Sequence, residues 1–522
     1  MNRTSAPARL PAARLLVLAT LAGLAPAAWG EAKADPTTSV TIYSSSEPGA
    51  ISADLYRPRV GQQWDYAYNQ QIPGYAFVRE DRPIRLGAGK TTLRITDVAA
   101  LIEPTTVSFK SLTDPDGTRV GEQNFQFDLV SNQKLLEKFI DKPIAVDVTR
   151  GDKAETVHGT LMSAAGGLIL KKDDGTIDVI NGYTSLNLPS LPDGLITRPT
   201  LVWDVYSDKG GDQTARISYQ TDGITWWADY NLVYTDTDNA NKGTLDVSAW
   251  VSILNKSGGS YRDARLKLVA GQVQRTQPQN RAFDSMARAE LMAGAAAAPA
   301  FQEKSFFEYH LYTLDTPATI PDNTTKQLEL FPTARSVPAD KVLLYAGQGD
   351  DWWYGGEPMT DQNYGVQSKS DVDVYLRFEN DKKSGLGIPL PAGRIRVSKL
   401  DSADGNMEFI GEDTIKHTPR DEEVLIRLGK AFDVVGSRRQ VEFSVDSVRR
   451  TMTETIEVEV RNRKDQAAEV VVQERMLRWA NWQFVGKDTP TYKKLDARTV
   501  HFPVQLAANE TRKVTFTVKY SW

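Results

Sequence analysis

The sequence contains no cysteine and only four histidines among its 522 residues. Without cysteine the chain can form no disulfide, no thiolate zinc site and no lipid-anchored cysteine, and a cysteine protease is excluded. The histidines include no pair at the spacing of a metal-binding helix or hairpin; they are His158, His310, His417 and His501. We therefore expect no metal ion and no other cofactor.

The sequence also has no excess of positive charge: its formal net charge is -5. Nucleic acid and anionic membrane surfaces are therefore not expected as main partners. Residues 87–92 look like a phosphate-binding loop, but Ile84 stands where the motif needs its first glycine, and a strand pattern follows where it needs a helix. No nucleophile elbow is present, and a carboxylate pair cannot be chosen from sequence. No catalytic residue is predicted.

Long hydrophobic runs are absent after the N-terminal segment. Residues 1–30 carry three arginines, an apolar run over residues 15–28 and the small-residue ending Ala28-Trp29-Gly30. This pattern predicts a cleaved signal peptide over residues 1–30 rather than a membrane anchor, because the run is shorter than the ~20 residues that span a bilayer. We expect no transmembrane span in the mature chain. Export without disulfides indicates a periplasmic or secreted bacterial protein.

The dominant hydrophobic period is two, as in residues 372–378, 456–460 and 514–520. Such alternation is typical of strands with one face in a core and one in water. Strands of this kind recur between clusters of Gly, Asn, Asp and Pro, which favours antiparallel sandwiches over βαβ units. The predicted fold is mainly β, with several antiparallel, Ig-like β-sandwich modules and a small barrel inserted before them.

The chain is too long for a single core, so several domains are expected. After the signal peptide, the predicted regions are an N-terminal β region (36–130), a small SH3/Sm-like barrel (131–192), a middle β-sandwich with a mobile loop at 272–303 (200–335) and a C-terminal β-sandwich region (336–522). The barrel is predicted from a short helix followed by short strands and an Asp-Gly hairpin turn. It is interpreted as a packing module.

An alternating strand ends in asparagine three times, at Asn255, Asn380 and Asn462, and a polar turn follows each time. Asparagine tolerates left-handed backbone and can form hydrogen bonds with the turn that follows it. Two interpretations remain open: unrelated turns with the same chemistry, or repeated Ig-like sandwiches.

Clustered aromatic residues are the only suggestive chemistry. Trp226, Trp227 and Tyr230 lie beside a strand, where adjacent side chains point to opposite faces, so at most one tryptophan fills the core. A second cluster, Trp352, Trp353 and Tyr354, lies among Gly, Gln and Asp without alternation. These six residues are the predicted binding residues, because exposed rings can stack on a sugar or a peptide. The alternative for the second cluster is a loop that caps a sandwich.

The middle of the chain resembles an exported bacterial family of unknown function, typified by mucoidy inhibitor A. The resemblance rests on Trp227-Ala228-Asp229-Tyr230, on the strand that ends at Asn255 with Gly258 and Tyr261 after it, and on Leu266, Leu268 and Gly271. It covers roughly residues 200–522. Typical members carry a long coiled coil before this region, whereas this chain has the predicted barrel there.

The resemblance implies an envelope location and β domains, and it supplies no catalytic residues. We expect an exported envelope protein that binds or scaffolds a protein or polysaccharide partner without catalysis. Edge strands and exposed aromatic rings are natural docking sites for such partners. The alternative is a hydrolase of cell-wall or exopolysaccharide material, which requires two carboxylates ~5–10 Å apart in a groove.

Overall fold

The structure is a computed structural model that describes residues 37–43, 49, 51–52, 55–56, 72–128, 130–150, 153–192, 194–271, 301–306, 309–348, 356–401, 403–486 and 489–522. The predicted signal peptide lies outside these residues. So does most of the predicted mobile loop, whereas its last residues, 301–303, belong to a strand. The described residues form 29 strands and one helix in several separate sheets, which confirms the predicted mainly β fold.

The secondary-structure elements fall into three parts in chain order. The first part comprises β1 (Thr38–Tyr43), β2 (Tyr75–Leu86), β3 (Gly89–Thr96), β4 (Ile102–Ser111), β5 (Thr118–Gln126), α1 (Asn132–Lys138), β6 (Pro143–Arg150), β7 (Lys153–Ser163), β8 (Leu168–Lys171), β9 (Ile177–Ile180) and β10 (Ser185–Asn187). The middle part comprises β11 (Thr200–Ser207), β12 (Gly211–Asp222), β13 (Ile224–Asp236), β14 (Lys242–Asn255), β15 (Tyr261–Ala270), β16 (Phe301–Phe306), β17 (Tyr309–Leu314), β18 (Ala318–Ile320) and β19 (Thr324–Tyr345). The last part comprises β20 (Asp371–Glu379), β21 (Gly393–Leu400), β22 (Met407–Ile415), β23 (Glu423–Asp446), β24 (Thr451–Asn462), β25 (Ala468–Arg475), β26 (Trp482–Val485), β27 (Lys493–Lys494), β28 (Thr499–Leu506) and β29 (Thr511–Ser521).

The first core is enclosed by three sheets. One is eight-stranded, in the order β16-β17-β15-β1-β2-β12-β4 with β18 beside β15, and one is three-stranded, in the order β3-β11-β5. The third is the beginning of a thirteen-stranded sheet that includes β22, β21, β13 and β14. Trp203, Trp226 and Tyr230 are buried in this core. Strands of residues 38–126 and of residues 200–335 therefore share sheets and one core.

Strand β1 occupies an inner position in the eight-stranded sheet. It pairs antiparallel with β2 and parallel with β15, where Ser39 is opposite Arg265. Val40 and Ile42 point into the first core and are fully buried. Burying an aliphatic side chain of this size contributes about 1.5–3 kcal/mol.

The second core lies in the C-terminal part, between the remaining strands of the thirteen-stranded sheet. It contains Tyr345, Phe502 and Tyr520, and strand β24 alternates strictly between half-buried and buried positions, as its sequence predicts. Two long strands connect the two cores. Strand β19 pairs first with β14 and then with β20 and β25, and β23 pairs first with β20 and then with β24.

The region predicted to be a small barrel is a five-stranded antiparallel sheet preceded by α1. Its order is β10-β6-β7-β8-β9, so the fifth strand returns to pair with the first. The sheet stays open, because its two outer strands, β9 and β10, do not pair within the described residues. Ser131 caps the helix by accepting a hydrogen bond from the backbone N–H of Lys134, and the sheet has a small core of its own around Leu161.

The three strand-ending asparagines form equivalent hydrogen bonds. Asn255, Asn380 and Asn462 are completely buried. Each side-chain amide donates to a carbonyl of the turn that follows and to a carbonyl of a distant loop, and each side-chain oxygen accepts from a backbone N–H of the turn. The carbonyl pairs are Gly259 and Pro321 for Asn255, Ile388 and Pro419 for Asn380, and Gln466 and Ala507 for Asn462. The shared pattern supports the interpretation of repeated sandwiches.

Within the described residues, no helix has the length and apolar character that crossing a bilayer requires.

Candidate functional site

Two of the predicted binding residues are core residues. Trp226 and Tyr230 are 2% and 1% exposed and lie in the first core. The Tyr230 hydroxyl donates to the carbonyl of Pro391, and the Trp226 ring contacts the edge of Tyr312. A ligand would reach neither ring without opening the core.

Trp227 points to the opposite face of the sheet, as the alternation of a strand requires. Its ring is half-buried beside Tyr56, and its Nε1 donates to Asp229 Oδ2 at 2.7 Å. The other oxygen of Asp229 lies 3.3 Å from Arg394 Nη2. Trp227 also packs against a small buried cluster of Ile51, Leu55, Ile72 and Leu254, so its ring is engaged on both its polar and its apolar parts.

Trp352, Trp353 and Tyr354 lie outside the described residues, and their binding role stays a prediction. The described chain ends at Gln348 before them and resumes at Gly356 after them.

A groove of about 530 Å³ lies beside Gln348. We call it the polar groove. It is lined by Ala346, Gln348, Lys369, Asp371, Asp373, Arg427, Lys430, Gln473, Arg475 and Leu477. Its volume falls in the range of ~300–1,000 Å³ that is typical of ligand sites.

The polar groove forms where β19 leaves the sheet. Up to Tyr345 this strand lies between β20 and β25. Beyond that point the side chain of Gln348 takes the place of a strand: it accepts from the backbone N–H of Arg475 at 2.9 Å and donates to the Arg475 carbonyl at 2.8 Å. The beginning of β20 and the end of β25 thus border an open space.

Ion pairs hold both carboxylates of the polar groove. Arg427 Nη2 lies 2.7 Å from Asp373 Oδ1, and Lys430 pairs with Asp371. The guanidinium of Arg475 is exposed and forms no salt bridge with a described residue, and its charge helps to lower the pKa of Asp496. Among the described residues that line the groove, four are basic and two are acidic.

A histidine orients one amide of the groove. Gln473 Oε1 lies 3.1 Å from His501 Nε2 on the neighbouring strand β28. Burial of His501, together with the nearby Lys493 charge, lowers its pKa below 6.5. The neutral imidazole that this favours can donate to Gln473, which leaves the amide N–H groups of Gln473 for a ligand.

Two buried arginines fasten the chain that follows the aromatic cluster to the second core. Arg438 forms an ion pair with Glu474, and Arg478 forms one with Glu454; all four residues are at most 5% exposed. The same guanidinium groups donate to loop carbonyls. Arg438 donates to Gly365, and Arg478 donates to Met359, Asp361 and Tyr364. This Arg–Glu clamp fixes one side of the polar groove, because Ser368 bonds to the backbone N–H of Arg438 and pairs with Gln348.

No group of three or more His, Asp or Glu side chains in the described part of the chain could hold a metal ion. What the polar groove offers instead is charge and hydrogen bonding: cations for an anionic ligand, and amide groups for hydroxyls.

The sequence reasoning missed the polar groove. Its residues come from β20, β23, β25 and the connecting segments beside them, which are far apart in the chain. Alternation shows only that Asp371 and Asp373 face the same side of a strand. One feature of the sequence does point to this region: the strand pattern of β19 stops at Tyr345, shortly before the aromatic cluster Trp352–Tyr354. Comparisons of the chain with protein-family models, with curated proteins and with solved structures found no match.

Proposed function

We propose that this protein is exported to the bacterial cell envelope and binds an acidic polysaccharide in the polar groove without cleaving it. The observation that carries the proposal is the exposed guanidinium of Arg475, which forms no salt bridge with a described residue, in a groove whose lining carboxylates already bind cations. A uronate or phosphate group of an acidic glycan would bind the Arg475 guanidinium, and hydroxyls of the glycan would bind the Gln473 amide.

Charge complementarity favours an acidic glycan over a neutral one. The chain as a whole is negative, so a locally positive groove attracts anions that the rest of the surface repels. Screening by salt weakens such attraction at exposed sites, so we expect affinity to fall as ionic strength rises.

Export and family membership belong to the same proposal. Export is supported by the signal-like residues 1–30 and by the absence of cysteine, and membership of the mucoidy inhibitor A-like family is supported by the motifs around Trp227, Asn255 and Gly271. A protein partner in the envelope is the other possibility that the sequence leaves open.

Arg475→Gln is the first test of the groove. The backbone of Arg475 bonds to Gln348 and is unaffected, whereas the guanidinium that lacks a partner is lost. We expect about tenfold weaker binding of polygalacturonate, measured by calorimetry, because a hydrogen bond to a charged group is worth about 1.5–3 kcal/mol. Arg439→Gln is the control, because Arg439 is a surface arginine paired with Glu457 outside the groove. Equal binding by both variants, equal binding of neutral dextran, or no binding at all would overturn the proposal; the last result would favour a protein partner.

A hydrolase is the second candidate, and one observation favours it. Asp371 and Asp373 lie two residues apart on one face of β20, a separation of about 7 Å along a strand and within the spacing of a glycosidase pair. Against catalysis, each carboxylate is engaged by a cation. We expect no release of reducing ends from polygalacturonate by the wild-type protein. Release that disappears in Asp373→Asn would establish the hydrolase instead.

A further inference from the structure

A second pocket, of about 280 Å³, is lined by residues of β13, β19, β20, β21, β22 and β23. One side of it is apolar, formed by Val374, Leu376, Ile410 and Leu428. The other side is polar, formed by Tyr234, Asp236, Lys341, Lys399 and Lys430. We call it the amphiphilic pocket. It shares Lys430 with the polar groove but is otherwise separate from it.

Two polar groups of the amphiphilic pocket lack partners. The Tyr234 hydroxyl is buried and has no hydrogen bond in the described part of the chain. Lys341 is half-buried, and its ammonium has no carboxylate within salt-bridge distance among the described residues. By contrast, Lys399 pairs with Asp236, and Lys430 pairs with Asp371. The pocket is thus lined by an ammonium without a salt bridge to a described residue, and it borders a buried hydroxyl whose hydrogen is unused.

The surroundings of the Lys341 ammonium and the Tyr234 hydroxyl make it unfavourable to bury them without partners. Burial lowers the pKa of Lys341, and the nearby Lys464 and Lys399 charges lower it further, against the opposing effect of Asp236. Burial, with the Asp236 and Asp340 charges, raises the pKa of Tyr234 to about 12, so its hydroxyl keeps its proton and can donate it. Buried polar groups are normally satisfied, and an exception calls for a missing partner.

We propose that the amphiphilic pocket binds a small organic anion with an apolar body, such as a medium-chain carboxylate. The carboxylate accepts hydrogen bonds from the Lys341 ammonium and the Tyr234 hydroxyl, and the apolar body packs against Val374, Leu376 and Leu428. An anion supplies the acceptor that both groups lack, and the apolar side excludes a fully hydrated ligand such as inorganic phosphate.

The test uses the full chain and three probes, titrated by calorimetry: octanoate, octanol and inorganic phosphate. We expect saturable binding of octanoate only. Octanol that binds as tightly as octanoate would overturn the role of the anionic group, and phosphate that binds as tightly would overturn the role of the apolar side. Absence of saturable octanoate binding would overturn the proposal as a whole.

Two conservative variants identify the residues. Lys341→Met and Tyr234→Phe keep most of the side-chain volume, and each is expected to weaken octanoate binding about tenfold. Lys242→Met, at an exposed lysine at the start of the adjacent strand β14, is the control and should bind as the wild type does. Equal octanoate affinity of Lys341→Met and the wild type would contradict the assignment.

A stability measurement gives an independent readout. If the Lys341 ammonium and the Tyr234 hydroxyl serve a ligand, the ligand-free fold gains nothing from these buried polar groups. The melting midpoints of Lys341→Met and Tyr234→Phe should therefore equal or exceed that of the wild type. Octanoate should raise the midpoint of the wild type more than that of either variant. A lowered midpoint in both variants without ligand would assign the two groups to the fold and overturn the proposal.

Discussion

Replacement of Arg438 by methionine is expected to destabilise the second core by about 3–5 kcal/mol, because it leaves the buried Glu474 without its cation. The Glu474 side chain is 1% exposed, and the Arg438 Nε is 2.9 Å from its Oε1. The substitution also removes the donor to the Gly365 carbonyl, so the loop should lose part of its attachment. Hydrogen exchange of β24 and β25, followed by mass spectrometry, measures the loss locally.

The neighbouring residue provides a matched control. Arg439 is on the same strand, but its side chain is 66% exposed and pairs with Glu457 at the surface. Arg439→Met should leave the exchange of β24 and β25 nearly unchanged, because exposed ion pairs contribute little. If the two variants exchange alike, the Arg–Glu clamp does not stabilise the core.

The loss of folding stability caused by Arg438→Met should be larger at high pH than at low pH. Burial already raises the pKa of Glu474 above 4.5 in the wild type, although Arg438 opposes this shift. Without Arg438 the folded-state pKa rises further, so the folded variant binds a proton more readily than its unfolded chain does. The free energy of unfolding of the variant should therefore fall further below that of the wild type as pH rises through the folded-state pKa of Glu474. The difference should shrink again as pH falls. An equal difference in free energy of unfolding between wild type and variant at pH 5 and pH 8 would contradict this account.

Asn462→Asp is expected to lower the free energy of unfolding by about 2–4 kcal/mol, although the two side chains have nearly the same shape. The Asn462 amide donates to the carbonyls of Gln466 and Ala507, both at 2.8 Å, and an ionised carboxylate can donate to neither. The substitution places a carboxylate oxygen against two carbonyl oxygens in a site without exposure. The midpoint of thermal unfolding, with hydrogen exchange of β24, measures the effect.

Asn481→Asp is the control for this prediction. Asn481 is exposed, and its amide donates only to the Ser521 hydroxyl. We expect little change in the midpoint, since surface substitutions away from special features have small effects. If Asn462→Asp is as stable as Asn481→Asp, the buried asparagine does not hold its corner of the sandwich.

Much of the fold follows from local patterns in the sequence. The alternation around Ile456 predicts which side chains of β24 enter a core, and the structure buries them. The polar turn after Asn462 is also visible locally. Which strands become neighbours is not local information: β1 pairs with β15, and β19 and β23 each change partners along their length.

The candidate site was less predictable for the same reason. The polar groove brings together Asp373, Arg427 and Gln473 from three strands, and no short sequence window contains two of them. The aromatic motif around Trp226 and Tyr230 was prominent in the sequence because aromatic rings are useful both for packing and for binding. The structure uses both rings for packing. Local sequence cannot separate these two uses, because exposure depends on what the rest of the chain places above the ring.

The position of β1 in the eight-stranded sheet affects the order in which the protein can be completed. A ribosome delivers β1 long before its parallel partner β15, with Leu266 and Leu268, because most of the middle region lies between the two strands in the chain. Until then one edge of β1 is open, and pairings between such distant segments form slowly. A nascent chain that ends before β15 cannot finish its first core, so we expect this core to form only after β15 has been made.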